Sequence, residues 1–133
     1  MDERIKNNFP FPGMQPGDIV EKPWGTERWI ACNAHYALRE LVIRAGHAVS
    51  LQYHERKIET LYVLEGSAVY YTQEPGEEMQ ERIVKAGDIL SNHPYLIHRQ
   101  RAIEDFRFIE VTTPELDDII RLQDDYNRGS HTV

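Results

Sequence analysis

The amino-acid sequence predicts an all-β domain in which two antiparallel sheets form a sandwich or a barrel. The chain has 133 residues, a length that favours one domain. Its apolar residues fall in many short runs rich in β-branched side chains, and turns containing Gly or Pro separate these runs. Strands at such close spacing, with no helical pattern between them, indicate a sandwich or barrel and argue against a parallel α/β sheet.

Nine runs along the chain have the length and composition of strands. Dipeptides such as Ala45-Gly46 and Glu65-Gly66, and the Ala86-Gly87-Asp88 tripeptide, mark turns between them. The predicted strands cover residues 27–31, 38–44, 49–54, 60–64, 68–72, 81–84, 88–90, 97–101 and 106–112.

Residues 1–17 are predicted to be an N-terminal arm outside the domain of residues 18–133. Pro10, Pro12 and Pro16 make this segment unsuitable for a helix, so we expect an extended or looped chain. Phe9 and Phe11 are the side chains expected to pack it on the domain.

A short helix is predicted near the C-terminus. Thr113 can cap it, and Pro114 suits the first helical position. Three acidic residues then favour the positive end of the helix dipole, and apolar residues recur at helical spacing. The acids are Glu115, Asp117 and Asp118, and the apolar stripe is Leu116, Ile119 and Ile120.

Composition excludes several classes of partner. The net charge is −7 and no basic cluster is present, which argues against binding to nucleic acid or to an anionic membrane surface. The single cysteine, Cys32, permits no intramolecular disulfide, and the N-terminus has no apolar segment of a signal peptide. We therefore expect a cytoplasmic protein that acts on a small molecule.

Four residues form a candidate metal site. Gln52 and His54 share one face of a predicted strand, because residues two apart in a strand point the same way. Glu59 begins the next strand, and His98 begins a later one. Two imidazoles, a carboxylate and an amide oxygen suit one divalent ion of Zn, Mn, Fe, Co or Ni.

The spacing of these residues resembles the two sequence motifs of the cupin superfamily. Gly46, Gln52, His54, Glu59 and Gly66 follow the first motif, with Gln52 at the position where histidine is usual. Gly87 and His98 follow the second motif, in which His93 replaces the usual proline and Tyr95 the usual glycine. The resemblance implies a cupin-type double-sheet jelly-roll barrel, with Gln52, His54, Glu59 and His98 as metal ligands.

A closer resemblance is to the isomerase domain of type II phosphomannose isomerases and their small stand-alone relatives. It covers roughly residues 21–128 and rests on three segments: EKPWG at 21–25, SLQYHERKIETLYVLEG at 50–66 and DDIIRLQDDYNR at 117–128. This resemblance implies a metal-dependent sugar-phosphate isomerase that interconverts an aldose and a ketose, similar to mannose-6-phosphate isomerase.

Such a reaction needs groups that move a proton and a cation that binds the substrate phosphate. Lys57 and Glu110 are the predicted catalytic residues, although the strand carrying Glu110 permits either orientation. Arg39 is the predicted substrate contact, since Leu41 and Ile43 share its face; the alternative is a surface ion pair with Glu40.

Two other functions fit the same sequence features. One is a different metal-dependent cupin enzyme, either a dioxygenase or a sugar epimerase. The other is a non-catalytic cupin that binds a metal or a small ligand, since fold does not determine function. Because a small jelly roll exposes sheet edges, we also expect a homodimer in which the N-terminal arm or the C-terminal helix covers a partner's edge.

Overall fold

The computed structural model describes residues 2–131 and 133 and is built from β-strands in two sheets. Eleven strands follow a single turn of 3-10 helix at Glu3–Ile5. They are β1 (Ile19–Lys22), β2 (Gly25–Cys32), β3 (Ala37–Ile43), β4 (Leu51–Tyr53), β5 (Glu59–Glu65), β6 (Ser67–Gln73), β7 (Gln80–Lys85), β8 (Ile89–Asn92), β9 (Ile97–Ala102), β10 (Phe106–Thr112) and β11 (Ile120–Gln123). The predicted all-β fold is confirmed.

The two sheets face each other across one apolar core. The larger sheet has the order β1-β2-β3-β10-β5-β8, and the smaller has the order β11-β4-β9-β6-β7. Paired strands run antiparallel throughout, as in a jelly roll. Consecutive strands therefore cross repeatedly from one sheet to the other, which sets the residues of β4 opposite those of β5.

Side chains at every second position of β3 and β10 fill much of the space between the sheets. In β3 every second residue is buried, and the buried set begins at Ala37 and ends at Ile43. Phe106 and Phe108 on β10 are almost fully buried against Leu61 and Val63 of β5. Burying each such side chain contributes roughly 1.5–3 kcal/mol, so this cluster holds the sheets together.

The turn between β5 and β6 requires glycine. Gly66 has a φ of +83°, a conformation that side chains with a Cβ rarely adopt. A Cβ built at this position would also lie 2.0 Å from the carbonyl oxygen of Asp105. The chain can therefore reverse direction here, and bring β6 beside β9, only with glycine at this position.

The N-terminal arm packs along β2 of its own chain. The amide of Asn8 donates to the carbonyl oxygen of Cys32 at 2.8 Å. The ring of Phe9 meets the buried ring of Trp29 edge-on, with centroids 6.5 Å apart, whereas Phe11 is exposed. Of the two predicted anchors, Phe9 is the one that enters an apolar cluster.

The prediction of a short C-terminal helix is wrong. Residues 114–119 form tight turns, and β11 (Ile120–Gln123) pairs with β4 as the edge strand of the smaller sheet. The capping residue is used elsewhere, because the Thr113 hydroxyl accepts from the amide of Ile58. Asp118 is likewise drawn into long-range contacts that an isolated helix could not make. In the described part of the chain, no helix is long and apolar enough to span a membrane.

Candidate metal centre

Strands of both sheets bring His54, Glu59 and His98 together. β4 lies beside β9, and Gln52 is paired with His98 across them. His54 directly follows β4, and Glu59 is the first residue of β5 in the facing sheet. One ligand atom from each of His54, Glu59 and His98 lies within 4.8 Å of the others, and all three residues are buried.

Main-chain carbonyls fix both imidazoles in the same tautomer. His54 Nδ1 lies 2.6 Å from the carbonyl oxygen of Asp118, and His98 Nδ1 lies 2.9 Å from that of Leu96. A carbonyl oxygen only accepts hydrogen bonds, so each Nδ1 must carry the proton and donate it. A neutral ring of this kind has its lone pair on Nε2, as in metal-bound histidine. The Nε2 atoms of His98 and His54 lie 3.0 and 3.4 Å from Glu59 Oε1.

These converging groups need a cation between them. Two imidazole lone pairs and a carboxylate oxygen repel one another unless positive charge lies among them. His54 Nε2 is moreover buried, and it makes no hydrogen bond within the described residues. Two imidazoles and one carboxylate leave coordination positions for water or substrate, and they suit the metals predicted from the sequence. The residues present therefore fit a divalent metal ion.

Lys57, Asn92 and Tyr70 hold the Glu59 carboxylate in place. Burial raises the pKa of Glu59, but the charge of Lys57, whose Nζ lies 3.6 Å from Oε2, is the largest influence that lowers it, and the pKa is held well below its ordinary value. Asn92 Nδ2 donates to Glu59 Oε1 at 2.9 Å, and the Tyr70 hydroxyl donates to Asn92 Oδ1. Burial, and then the charge of Glu59, raise the pKa of Tyr70, which keeps this hydroxyl a donor.

Asp118 positions the loop between two of the ligands. Its carboxylate accepts from the backbone amides of Glu55, Arg56 and Lys57 at 3.0, 2.7 and 2.9 Å. Burial raises the pKa of Asp118, yet the three amide donors outweigh it and lower the pKa below the ordinary value. Since its carbonyl oxygen also holds His54, this one residue orients a ligand and the loop that follows it.

A cavity of about 620 Å³, counting open solvent at its mouth, lies against this cluster. His54 does not line this cavity. The other six residues predicted for the site do line it: Arg39, Gln52, Lys57, Glu59, His98 and Glu110. The Gln52 amide donates to the carbonyl oxygen of Ser50 at 3.3 Å. Its role as a fourth ligand stays a prediction.

Arg39 and Glu110 belong to a buried ion-pair network beside the cluster. Arg39 Nη1 donates to Glu27 Oε2 at 2.8 Å, and its Nη2 donates to Glu110 Oε1. The guanidinium also lies over the Trp29 ring, 5.0 Å from the centroid. Burial lowers the pKa of Arg39, but the two carboxylates more than reverse this, so its pKa lies above the ordinary value. The predicted contact between Arg39 and substrate stays a prediction, since both ends of its fork already hold carboxylates.

The turn before His98 keeps the backbone shape of a glycine. Tyr95, at the position where the cupin motif has glycine, has a φ of 68°. Its amide donates to the carbonyl oxygen of His54 at 2.7 Å, and its ring stacks on Tyr53 with centroids 6.0 Å apart. These contacts offset the cost of a left-handed conformation, which is of order 1–3 kcal/mol for a non-glycine residue.

Sequence reasoning missed the supporting residues of the site. Asn92 and Tyr70 lie two positions after the buried residues Leu90 and Ala68 along β8 and β6, and this period of two was the available signal for their inward orientation. Asp118 gave a misleading signal, because an acidic residue after a Thr-Pro pair is typical of a helix N-terminus.

The sequence matches the model of a family described as mannose-6-phosphate isomerase C-terminal over residues 14–124. None of the curated proteins compared with the chain matches it.

Solved structures share the fold at low sequence identity. The capsular polysaccharide assembling protein CapF from Staphylococcus aureus has a TM-score of 0.68 and 14% identity, over 84% of this chain and 33% of CapF. Ectoine synthase from P. lautus has a TM-score of 0.63 and 20% identity, over 74% of this chain and 70% of the synthase. A protein with a double-stranded beta-helix domain from Klebsiella pneumoniae subsp. pneumoniae has a TM-score of 0.60 and 22% identity, over 71% and 81% of the two chains. The chain thus spans about a third of CapF, and the shared fold is the double-stranded β-helix of cupins.

Proposed function

The chain belongs to the mannose-6-phosphate isomerase C-terminal family of cupin proteins, and from this membership we propose that it is a metal-dependent sugar-phosphate isomerase. The reaction would interconvert an aldose phosphate and a ketose phosphate, with mannose 6-phosphate and fructose 6-phosphate as the first pair to test. The observation that carries the proposal is the convergence of two imidazole Nε2 atoms and a carboxylate against a cavity that Lys57 and Glu110 also line.

The proposed ligands are His54, Glu59 and His98, with Gln52 as a fourth. A bound divalent ion would supply a Lewis acid that holds the carbonyl and the neighbouring hydroxyl of the sugar and offsets negative charge developing on them. The chain's own contribution is to fix the two imidazole tautomers and to keep Glu59 ionised, as its lowered pKa implies.

Proton transfer in the proposed reaction falls to Glu110 and Lys57. The proton on the carbon next to the carbonyl must leave, and a proton must reach the former carbonyl carbon, while the hydroxyl proton passes between the two oxygens. No oxidant is consumed. We assign the carbon proton to the Glu110 carboxylate, which lines the cavity and is oriented by Arg39. We assign the proton on oxygen to the Lys57 ammonium, which is buried beside Glu59.

Metal content gives the first test. Purified protein should bind close to one equivalent of divalent metal, and His54→Ala and His98→Ala should each lose most of it while keeping an all-β circular dichroism spectrum. His93→Ala is the matched control, because this exposed histidine pairs with Glu74 outside the cluster. Stoichiometric metal in both ligand variants would overturn the ligand assignment.

Turnover in D₂O gives the second test. An isomerase of this kind exchanges a carbon-bound proton, so deuterium should enter the product of an active sugar phosphate, as detected by NMR. Glu110→Gln should lose this exchange while retaining metal. If no aldose or ketose phosphate turns over in the metal-loaded protein, the isomerase proposal fails.

A non-catalytic binding protein is the second candidate function. The observation that favours it is the pairing of Glu110 with Arg39, which engages the carboxylate we assign as the base. A metal-loaded protein that binds sugar phosphates but does not turn them over would be the expected result for this candidate.

We also propose a homodimer. The outer face of the larger sheet exposes Tyr62, Ile89 and Val111, and β8 is an edge strand of that sheet. A twofold contact would cover this apolar edge. Light scattering should give twice the 15.6 kDa chain mass, and a value near 15.6 kDa at micromolar concentration would contradict the dimer.

A further inference from the structure

Two hydrogen bonds cross the core from the smaller sheet to the carboxylate of Glu59. Asn92 ends β8 and is paired in register with Glu59, the first residue of β5, so the two side chains project from neighbouring positions of the larger sheet. Tyr70 lies on β6 in the facing sheet. Its hydroxyl donates to Asn92 Oδ1, and Asn92 Nδ2 donates to Glu59 Oε1 at 2.9 Å. All three side chains are buried, and together they are called the relay below.

The ionised carboxylate sets the direction of both hydrogen bonds in the relay. A carboxylate only accepts, so the Asn92 amide must turn its NH₂ group towards Glu59. The amide oxygen then faces Tyr70, and because this oxygen also only accepts, the Tyr70 hydroxyl must donate. With the amide reversed, two acceptor oxygens would meet at 2.9 Å. The hydroxyl of Tyr70 therefore stabilises one orientation of the amide.

Asn92 binds the oxygen of Glu59 that faces both imidazoles. Oε1 lies 3.0 Å from His98 Nε2 and 3.4 Å from His54 Nε2, whereas Lys57 Nζ lies 3.6 Å from Oε2. A carboxylate oxygen has two lone pairs, so the hydrogen bond from Asn92 leaves one of them for an ion between Oε1 and the imidazoles. The position of this ligand atom therefore depends on the Asn92 amide.

Packing fixes the hydroxyl that begins the relay. The Tyr70 ring belongs to the main core cluster, and the guanidinium of Arg82 lies over it, 5.5 Å from the centroid. Asn92 is fully buried, so bulk water cannot replace the hydroxyl as its donor. Removing the hydroxyl leaves the amide oxygen unpaired, and the amide is then no longer held with its NH₂ group towards Glu59.

We propose that Tyr70 and Asn92 are positioning residues for metal binding. Tyr70 orients the Asn92 amide, and the amide holds Glu59 Oε1 towards the two imidazoles. The proposal rests on the proposed metal ligands and is independent of the isomerase reaction. Tyr70 acts on the metal only through Asn92, so removing its hydroxyl from a chain that lacks Asn92 costs no further affinity.

Competition with a metal chelator measures the relay in two single variants and their combination. Asn92→Leu removes the donor with little change in size and should weaken metal binding about 10- to 100-fold, the range for residues that support a ligand. Tyr70→Phe should weaken it by a smaller factor, because the donor remains but is not held. The double variant should match Asn92→Leu within about twofold. Tyr71→Phe is the control, since its ring is on the opposite face of β6, and it should bind metal like the wild type.

Urea unfolding of the metal-free variants separates positioning from packing. Each single substitution leaves one buried polar group without its partner and should lower the free energy of unfolding. The double variant removes both of these groups and should recover part of the lost stability, whereas its metal affinity should not recover. Because the double variant contains neither unpaired group, it remains informative if a single variant fails to fold.

The outcomes distinguish the relay from the metal site itself. Wild-type affinity in Tyr70→Phe or in Asn92→Leu, losses that multiply in the double variant, or affinity that returns together with stability would each overturn the relay and leave the metal ligands in place. A wild type that binds no divalent metal removes the ligand assignment and the relay with it. Affinity that depends on the relay in a protein without isomerase activity supports the relay and removes the isomerase.

Discussion

Replacing Asp118 with alanine should destabilise the protein and weaken metal binding together. The carboxylate is the acceptor for three consecutive backbone amides of the loop between His54 and Glu59. Without it these amides lose a charged partner, and the loop carrying Lys57 is no longer fixed to the C-terminal segment. The residue's carbonyl oxygen, which orients His54, would move with that segment.

The magnitude follows from the exposure of the three amides. Hydrogen bonds to a charged group contribute about 1.5–3 kcal/mol each. Glu55 and Arg56 are exposed, so water can replace much of their loss, whereas Lys57 is buried. We therefore expect Asp118→Ala to lower the free energy of unfolding by about 2–4 kcal/mol and metal affinity by about 10- to 100-fold, as is typical for a residue that supports a ligand.

Urea unfolding of the metal-free protein and competition with a metal chelator measure the two effects separately. Asp117→Ala is the matched control, because this neighbouring side chain is exposed. An unfolding free energy of Asp118→Ala within about 0.5 kcal/mol of that control would refute the reasoning.

The Asp118 carboxylate also predicts a pH dependence. Because the pKa of Asp118 is lowered on folding, its stabilising contribution is present above the ordinary aspartate pKa of about 3.9 and is lost as pH falls through the lower folded value. The stability advantage of the wild type over Asp118→Asn should therefore shrink in acid below about pH 4. An advantage that grows as pH falls would contradict this sign.

Three further predictions concern single residues. Gln52→His should retain metal and tighten its binding, because imidazole is the better ligand for these ions; weaker binding by chelator competition would contradict Gln52 as a ligand position. Arg39→Met should lower the free energy of unfolding by about 3–5 kcal/mol, because it leaves two buried carboxylates without their cation; a loss below about 1 kcal/mol in urea would show that the network is unimportant. The hydrogen bond that His93 donates to Glu74 raises the pKa of His93, so its NMR titration should lie above about 6.5 and move back towards that value in Glu74→Gln; this contact stabilises the fold below the ordinary histidine pKa and is lost as pH rises through the raised one.

The strands could be predicted because their burial follows a local rule. Each of the nine predicted strands overlaps an observed one, since alternation of apolar residues with period two depends only on neighbouring positions. The same rule placed His54 and Gln52 on one face, and of the two orientations that it left open for Arg39, the structure has the buried one beside Leu41 and Ile43. Residues 116–120 carry a helical pattern, yet pairing with β4 and the loop contacts of Asp118 override it.

The electrostatic surroundings of the site could not be predicted in the same way. Glu27 lies 12 positions from Arg39 in sequence and Glu110 lies 71 positions from it on the other side. Only the sheet order β2-β3-β10 makes both of them partners of Arg39. A predicted contact between Arg39 and a substrate phosphate depends on which charges surround it. Those charges come from distant strands, and the sequence alone does not place them.

The dependence of His54 on Asp118 bears on when the protein can acquire its metal during synthesis. His54 leaves the ribosome 64 residues before the carbonyl that orients it, which at about 5–20 residues per second is roughly 3–13 s of translation. Throughout that interval the nascent chain presents histidine and carboxylate side chains whose orientations are not yet fixed. We expect metal acquisition to follow the synthesis of Asp118, so newly made protein in a metal-poor cell should accumulate as a folded apo form that can be loaded afterwards.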